Sequence, residues 1–311
     1  MNVAYAHGGL EHGAAVAHDA SVAQLALLWD WSFDPTFLVP LLLALLYFRG
    51  YLRYRWRGGR RFPLWRPMLF VLGVGVIALA LMSPIDALAD VSFTWHMAQH
   101  DLLMLVAIPL ILLGAPFIPV IRGLPLWLRR RAFIPMARHV AVRGGLAIVT
   151  RPLVALILYE ATVVAWHVPG IYDTALFNTW FHYGMHLSFI ATGVCFWWHI
   201  VTPYPFPSRL HHLLRILMLF ASAVVNGALS ALIVFSDTVI YGYHFLPGFW
   251  GLTMQEDQII GSGLMWVMGD MLRLMAMTFI FIDFARQENA KEPHAMATST
   301  RTHGQNLPQG A

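Results

Sequence analysis

The chain has a single cysteine, Cys195, among 311 residues. That excludes a disulfide within the chain and any Cys-x-x-Cys metal or redox motif. Soft-metal chemistry would have to use histidine and methionine. Charge is scarce too. Asp, Glu, Lys and Arg make up 12% of the residues, about half the share of a soluble domain. An ordinary water-soluble globule is therefore excluded. There is no Gly-x-Ser-x-Gly, no His-Glu-x-x-His and no Gly-x-x-x-x-Gly-Lys segment. The hydrolase and nucleotide classes those motifs serve lose their support, and an enzyme is not expected. The first residues lack a basic stretch leading into a short apolar run and a small-residue cleavage site, so no cleaved signal peptide is expected.

What is present is apolar. Hydrophobic residues make up 58% of the chain and the mean hydropathy is +0.61. Apolar runs of about 20 residues, the length that crosses a bilayer, recur along it. The expected fold is all-α, a polytopic membrane bundle of seven transmembrane helices. The spans run roughly from Pro35 to Phe48, Pro67 to Met82, Thr94 to Leu113, Pro152 to His167, Thr179 to Val201, Leu213 to Phe235 and Gln258 to Phe284. Residues 1–33 form a polar tail carrying His7, His12 and His18, suited either to disorder or to loose metal collection. Residues 34–286 form the membrane domain and 287–311 a polar tail.

Charge sets the orientation. Every Lys and Arg except Arg273 falls on one side of this layout, in the stretches 49–66, 122–151, 209–215 and 286–301. The loops 83–93, 168–178 and 236–257 carry acids and no basic residue. The positive-inside rule places the N-terminus outside and the C-terminus in the cytoplasm. The net charge of +4 thus serves topology and gives no reason to expect nucleic acid. The stretch LPLWLRRRAFIPMARHV reads as an amphipathic segment at the inner interface.

Two stretches carry chemistry. TWHMAQHDLLM holds His96 and His100, and TWFHYGMHLSF holds His182 and His186. Four residues are about one helical turn, so each pair lies on one helix face, about 6 Å apart along the axis. Both spans run inward, so the pairs share a depth in the outer leaflet. His167 ends a span running the other way and arrives at the same level. Trp95, Trp166 and Trp180 flank these histidines, as an aromatic belt would. One histidine in such a place is usually an interfacial residue; two matched pairs make a candidate ligand set. The i, i+4 spacing suits one ion or a close pair of ions better than haem. Imidazole with the thioethers of Met97, Met104 and Met185 suits copper, and zinc stays open.

Other buried polar residues are costly in a membrane and so informative. Asp101 could orient an imidazole or be a helix-start carboxylate. Glu160 lies seven residues before His167 on the same face, and could hold a proton or simply bond a neighbour. Asp270 and Arg273, at i, i+3, should pair with each other. Asn226, Gly227, Ser230, Gly261 and Gly263 suggest close helix contacts. His199, His211 and His212 fall on the cytoplasmic side, and His244 in an outer loop.

SPIDALADVSFTWHMAQHDLLMLVAIPLILLGAP resembles the signature region of the CtaG-type cytochrome c oxidase assembly factors, seven-span bacterial membrane proteins. AWHVPGIYDTAL, FHYGMHLSFIATGVCFWW and EDQIIGSGLMW extend the resemblance over about residues 66–284. It places His96, His100, His182 and His186 on the family's histidine positions and His167 on its loop histidine. It implies copper as cofactor, cytochrome c oxidase subunits as partners and the bacterial inner membrane as location. Asp257, in the last of these segments, joins Asp101, Glu160 and the three methionines as a supporting residue. His199 departs from the family's pattern, as do Asp270 and Arg273, all away from the histidine pairs. An unrelated single-span copper chaperone with cysteine ligands shares the family name, and this chain is not of that kind. The function expected is assembly of a haem–copper oxidase with copper supplied from the outer leaflet. A copper transporter, a haem-binding membrane protein and a metal-free scaffold remain open.

Overall fold

The computed structural model describes residues 28–31, 33, 35–56, 62–206, 210–243 and 251–304. The N-terminal histidines His7, His12 and His18 lie outside these residues, as does His244. Among the described residues all regular structure is helical. In chain order the helices are α1 (Leu38–Trp56), α2 (Trp65–Met82), α3 (Pro84–Ala89), α4 (Phe93–Leu113), α5 (Phe117–Gly123), α6 (Leu126–Arg138) and α7 (Val140–Val149). They continue with α8 (Pro152–Trp166), α9 (Pro169–Phe177), α10 (Thr179–Val201), α11 (His212–Val234) and α12 (Met254–Gly304).

Six of these, α1, α2, α4, α10, α11 and α12 up to Ala290, are long and apolar enough to cross a membrane. Two further pairs are bent, α6 against α7 by 65° and α8 against α9 by 75°. Counting each bent pair as one span gives up to eight. The fourth span expected from sequence is α8, the straight arm of the second pair. Pro169 causes the break there: it favours extended backbone at Val168 (ψ 124°) and opens a new helix at its own first position. The last helix runs on to Gly304, so 287–304, expected as a polar tail, keep helical backbone.

Local chemistry explains the boundaries. Ser83 and Ser92 cap α3 and α4, each accepting from a backbone N–H of the first turn, and Asn178 does the same for α10. The interior of α4 is not uniform. Leu102–Ala107 form a π-helical stretch just before Pro109. Proline supplies no N–H and crowds the carbonyl four residues back, which is Leu105, so the widened turn takes up the mismatch. The same device recurs at Arg129–Phe133, ahead of Pro135.

The outer helices pack through small residues. A Cβ on Gly50 of α1 would stand 1.7 Å from the Pro119 carbonyl oxygen of α5, and one on Gly123 of α5 1.9 Å from that of Leu46. Only glycine admits so close a crossing. Tyr47 then stacks on Phe70 at 3.9 Å and donates to the Gly114 carbonyl at 2.9 Å, tying α1 to α2 and to the end of α4. The apolar core lies between α4, α8, α10, α11 and α12, and includes Tyr159, Met185, Phe189, Phe196 and Leu219. Of the glycines expected at close contacts, Gly227 faces Trp266 and Gly261 faces Phe93 and Thr94, whereas Gly263 has open space before it.

Candidate metal centre

Helices α4 and α10 lie side by side, and their histidine pairs face each other. His96 and His100 have ring centroids 4.4 Å apart, as do His182 and His186. Across the gap His96 stands 5.4 Å from His182, and His100 5.7 Å from His186. The four rings make a closed quadrangle. All are out of solvent, with exposures of 2%, 5%, 0% and 1% in chain order. The Nε2 atoms of His182 and His186 are 3.1 Å apart.

These distances can be compared with what an ion requires. Ligand nitrogens about 2.0–2.1 Å from one ion, at angles between square and tetrahedral, stand about 2.9–3.4 Å from each other. The His182–His186 separation falls in that range. The corresponding centroids stand about 4.4–5.1 Å apart, and up to about 6 Å at wider angles. The sides of the quadrangle fit this range. Among the described residues no three His, Cys, Asp or Glu side chains are disposed to hold one ion as they stand. Ring positions are set by the backbone, and ring rotations by whatever the nitrogens bind. The donor type and ring spacing suit an imidazole-seeking ion, while the nitrogens as placed do not set three donors around one point.

The site is framed on its outer side by aromatic hydroxyls that sequence patterns did not point to. His96 Nδ1 lies 2.9 Å from the Tyr243 hydroxyl and 3.3 Å from the Ala89 carbonyl. A carbonyl only accepts, so Nδ1 carries the proton and Nε2 keeps its lone pair for the quadrangle. Tyr243 in turn shares a 2.6 Å hydrogen bond with Tyr172. Burial pushes the phenols of Tyr241 and Tyr243, in the loop before α12, above the ordinary tyrosine range, and both stay neutral. Phe93, Tyr172, Tyr241 and Tyr243 form one aromatic cluster over the outer end of α4. The only advance signal was the density of tyrosine in the loops 168–178 and 236–257, which has no period to read.

His167 does not join the quadrangle. Its Nδ1 is held by the Val163 carbonyl at 2.7 Å, and its backbone carbonyl accepts from Tyr241 at 3.0 Å. It reaches the site only through a small cavity of about 20 Å³, shared with His100, Met97 and Met104. Met185 is core, packed with Phe189 and Ile108. Asp101 is buried on the inward side, facing Arg273, and makes no hydrogen bond to an imidazole. Glu160 lies near Ser222 and Arg273. Asp270 and Arg273 do pair, at 3.4 Å, and Arg273 Nε donates to Ser222 at 3.0 Å. A polar cluster around Arg273 thus lies next to the histidines, across the small cavity that His100 lines.

Asp257 acts on α4 from a distance of over a hundred residues in sequence. Its carboxylate accepts from the Phe93 amide at 2.7 Å, the Ser92 hydroxyl at 2.8 Å and the Thr94 amide at 3.2 Å.

With this geometry in view, the relatives can be placed. The pattern of the cytochrome c oxidase caa3 assembly factor family (Caa3_CtaG) matches residues 45–287, and the chain belongs to that family. Uncharacterized proteins of Mycobacterium bovis and Mycobacterium tuberculosis are each 27% identical over 272 residues, covering 84% of this chain and 40% of each relative. One of Mycobacterium leprae is 25% identical over 269 residues, covering 83% and 40%. The chain thus spans about two-fifths of the length of these curated relatives. No solved structure matches it.

Proposed function

We propose that this protein assists assembly of a haem–copper cytochrome c oxidase by holding a copper ion among His96, His100, His182 and His186 and passing it to an oxidase subunit. The quadrangle of buried imidazoles carries this reading. Neutral imidazole binds copper well, and four of them within one helical turn supply a full donor set without cysteine. Family membership supplies the oxidase as the assembly served. The charge-derived reading of seven spans with the N-terminus outside supports a site in the outer leaflet of a bacterial plasma membrane. No catalytic step is assigned to any residue.

The chain's own residues would shape the exchange. The proton on His96 Nδ1 is directed to Tyr243 and Ala89, which leaves Nε2 for the metal. Burial keeps bulk water away from the donors. Asp101 and Arg273 line the far side of the small cavity beside His100. A route onward to the cytoplasm would pass the buried guanidinium of Arg273, which its bonds to Asp270 and Ser222 hold in the way. This favours delivery on the outer side over transport across the membrane. Rings 4.4–5.7 Å apart around the whole quadrangle leave no slot for a porphyrin, which argues against haem.

The test is copper content after loading, by elemental analysis, for the wild type and a His100→Ala, His186→Ala double variant. About one copper per wild-type chain and almost none in the variant is expected, with the variant still folded. Equal copper in both would sink the metal-donor reading and leave a metal-free scaffold.

A further inference from the structure

We propose that the adjacent residues Asp257 and Gln258 are the positioning element of the histidine site: one fixes the helix that carries His96 and His100, the other the loop that sets Tyr243 on His96. The proposal rests on reading the four histidines as a copper site.

Asp257 serves as a cap supplied from another helix. The first amides of any helix lack acceptors within it, and the positive end of the helix dipole favours an anion there. In α4 those amides belong to Phe93 and Thr94, and both point to the Asp257 carboxylate. Ser92 adds its hydroxyl at 2.8 Å, and Thr94 Oγ1 donates back to the Asp257 carbonyl at 3.0 Å. One turn along α12, Gly261 lets the two helices close up. A Cβ there would stand 2.5 Å from Phe93 Cδ1 and 2.9 Å from the Thr94 backbone. The start of α4 is thereby fixed against α12. His96 follows Phe93 by three residues and His100 by seven, so the position of the cap is passed along a rigid helix to both rings. A slip of one residue at the cap would turn them by about 100°, away from α10.

Gln258 faces another way, because neighbours on a helix point about 100° apart. It is 2% exposed, and all its bonds go to backbone. Its carbonyl accepts from Ile240 N at 2.7 Å, and its amide donates to Thr238 O at 3.2 Å and Ile233 O at 3.5 Å. These bonds hold the segment 238–240. On the other side Gly242 N donates to Asp173 at 3.0 Å. Held from both sides, the loop places the Tyr243 hydroxyl on His96 Nδ1. Partners of this kind fix ring orientation and tautomer in metal sites, and their loss typically costs about 10–100-fold in metal affinity. Asp257 and Gln258 thus act on the same imidazole from opposite directions, one through the helix axis and one through the ring nitrogen.

The experiment titrates the full chain in detergent with copper(II) sulfate against a competing chelator, and records the electron paramagnetic resonance spectrum of the loaded protein. Thermal unfolding of the metal-free protein is measured alongside. Asp257→Asn should weaken copper binding about 10–100-fold and change the nitrogen superhyperfine pattern. Asp257→Glu should restore part of both. Gln258→Ala and Tyr243→Phe should give one common altered spectrum, and the double variant should be no worse than the weaker single. Tyr243→Phe removes one oxygen atom, so it carries the test even where Asp257→Asn fails to fold. Wild-type affinity and spectrum in Tyr243→Phe and Gln258→Ala, with only the unfolding temperature lowered, would overturn the proposal and make the pair structural. A wild-type chain that takes up no copper would instead remove the metal site itself, and the positioning role with it.

Discussion

Two buried polar clusters lie one above the other in this bundle, built from opposite ingredients. The outer one is four imidazoles with ring centroids 4.4–5.7 Å apart. The inner one gathers Asp101, Glu160 and Asp270 around Arg273, with Ser222 and Asn226 supplying hydrogen bonds. In the inner cluster Arg273 is answered by the Asp270 carboxylate and the Ser222 hydroxyl, and removing the guanidinium strands both. In the outer cluster the side chains are neutral bases whose natural common partner is a cation. Groups that satisfy one another hold a fold together. Groups that share a want of the same external partner make a site.

The contrast can be broken by substitution. Arg273→Met should have the largest effect on folding, about 3–5 kcal/mol, because it leaves buried carboxylates without their cation. Thermal or denaturant unfolding reads it, and copper taken up per folded chain should stay near wild type. A stable Arg273→Met protein would show that the inner cluster is not held by charge. His186→Ala should do the reverse, with little change in unfolding but a fall of at least about a hundredfold in copper affinity, near 2.7 kcal/mol, by competition titration. Asn226→Ala should cost about 1–2 kcal/mol of stability, since its amide donates to the Met265 carbonyl and to Asp270. A neutral result there would place the load on Arg273 alone. The smallest effect is expected at the exposed ion pair of His212 with Asp283, 3.2 Å apart. Asp283→Asn should change stability by less than about 1 kcal/mol and copper binding not at all.

The facing of α4 and α10 was legible because two simple rules coincide there. An i, i+4 spacing puts two rings on one face, and span parity puts both pairs at one depth. His167 lies beside the quadrangle without being one of its four rings, and lines the small cavity it shares with His100. Its backbone sits where α8 ends and the chain turns by 75°, so its ring is directed by a local hydrogen bond to Val163 instead of by a helix face. Asp101 could be read either as orienting an imidazole or as a helix-start carboxylate; it follows His100 by one residue and so points about 100° away from it, toward Arg273. Tyr243 could not have been found, since a loop residue has no period and its role depends on Gln258 and Asp173 meeting it in space. Arg273 stood out as the exception to a charge rule and as the i, i+3 partner of Asp270, and the two do pair. Its closeness to Asp101 and Glu160, on two other helices, is connected by no linear pattern.

The π-helical stretch Leu102–Ala107 has a consequence for how such a helix can change. A widened turn slips the phase of everything beyond it by roughly one residue, about 100°. The half of α4 that carries His96 and His100 is thus clocked independently of the half that packs against α2 and α10 below. Deleting Val106, which is not among the buried core residues, would restore a regular helix and swing the histidines off their partners, while leaving every ligand and every buried core residue in the chain. The register of the turn is in that sense a setting of the site, adjustable without touching its chemistry.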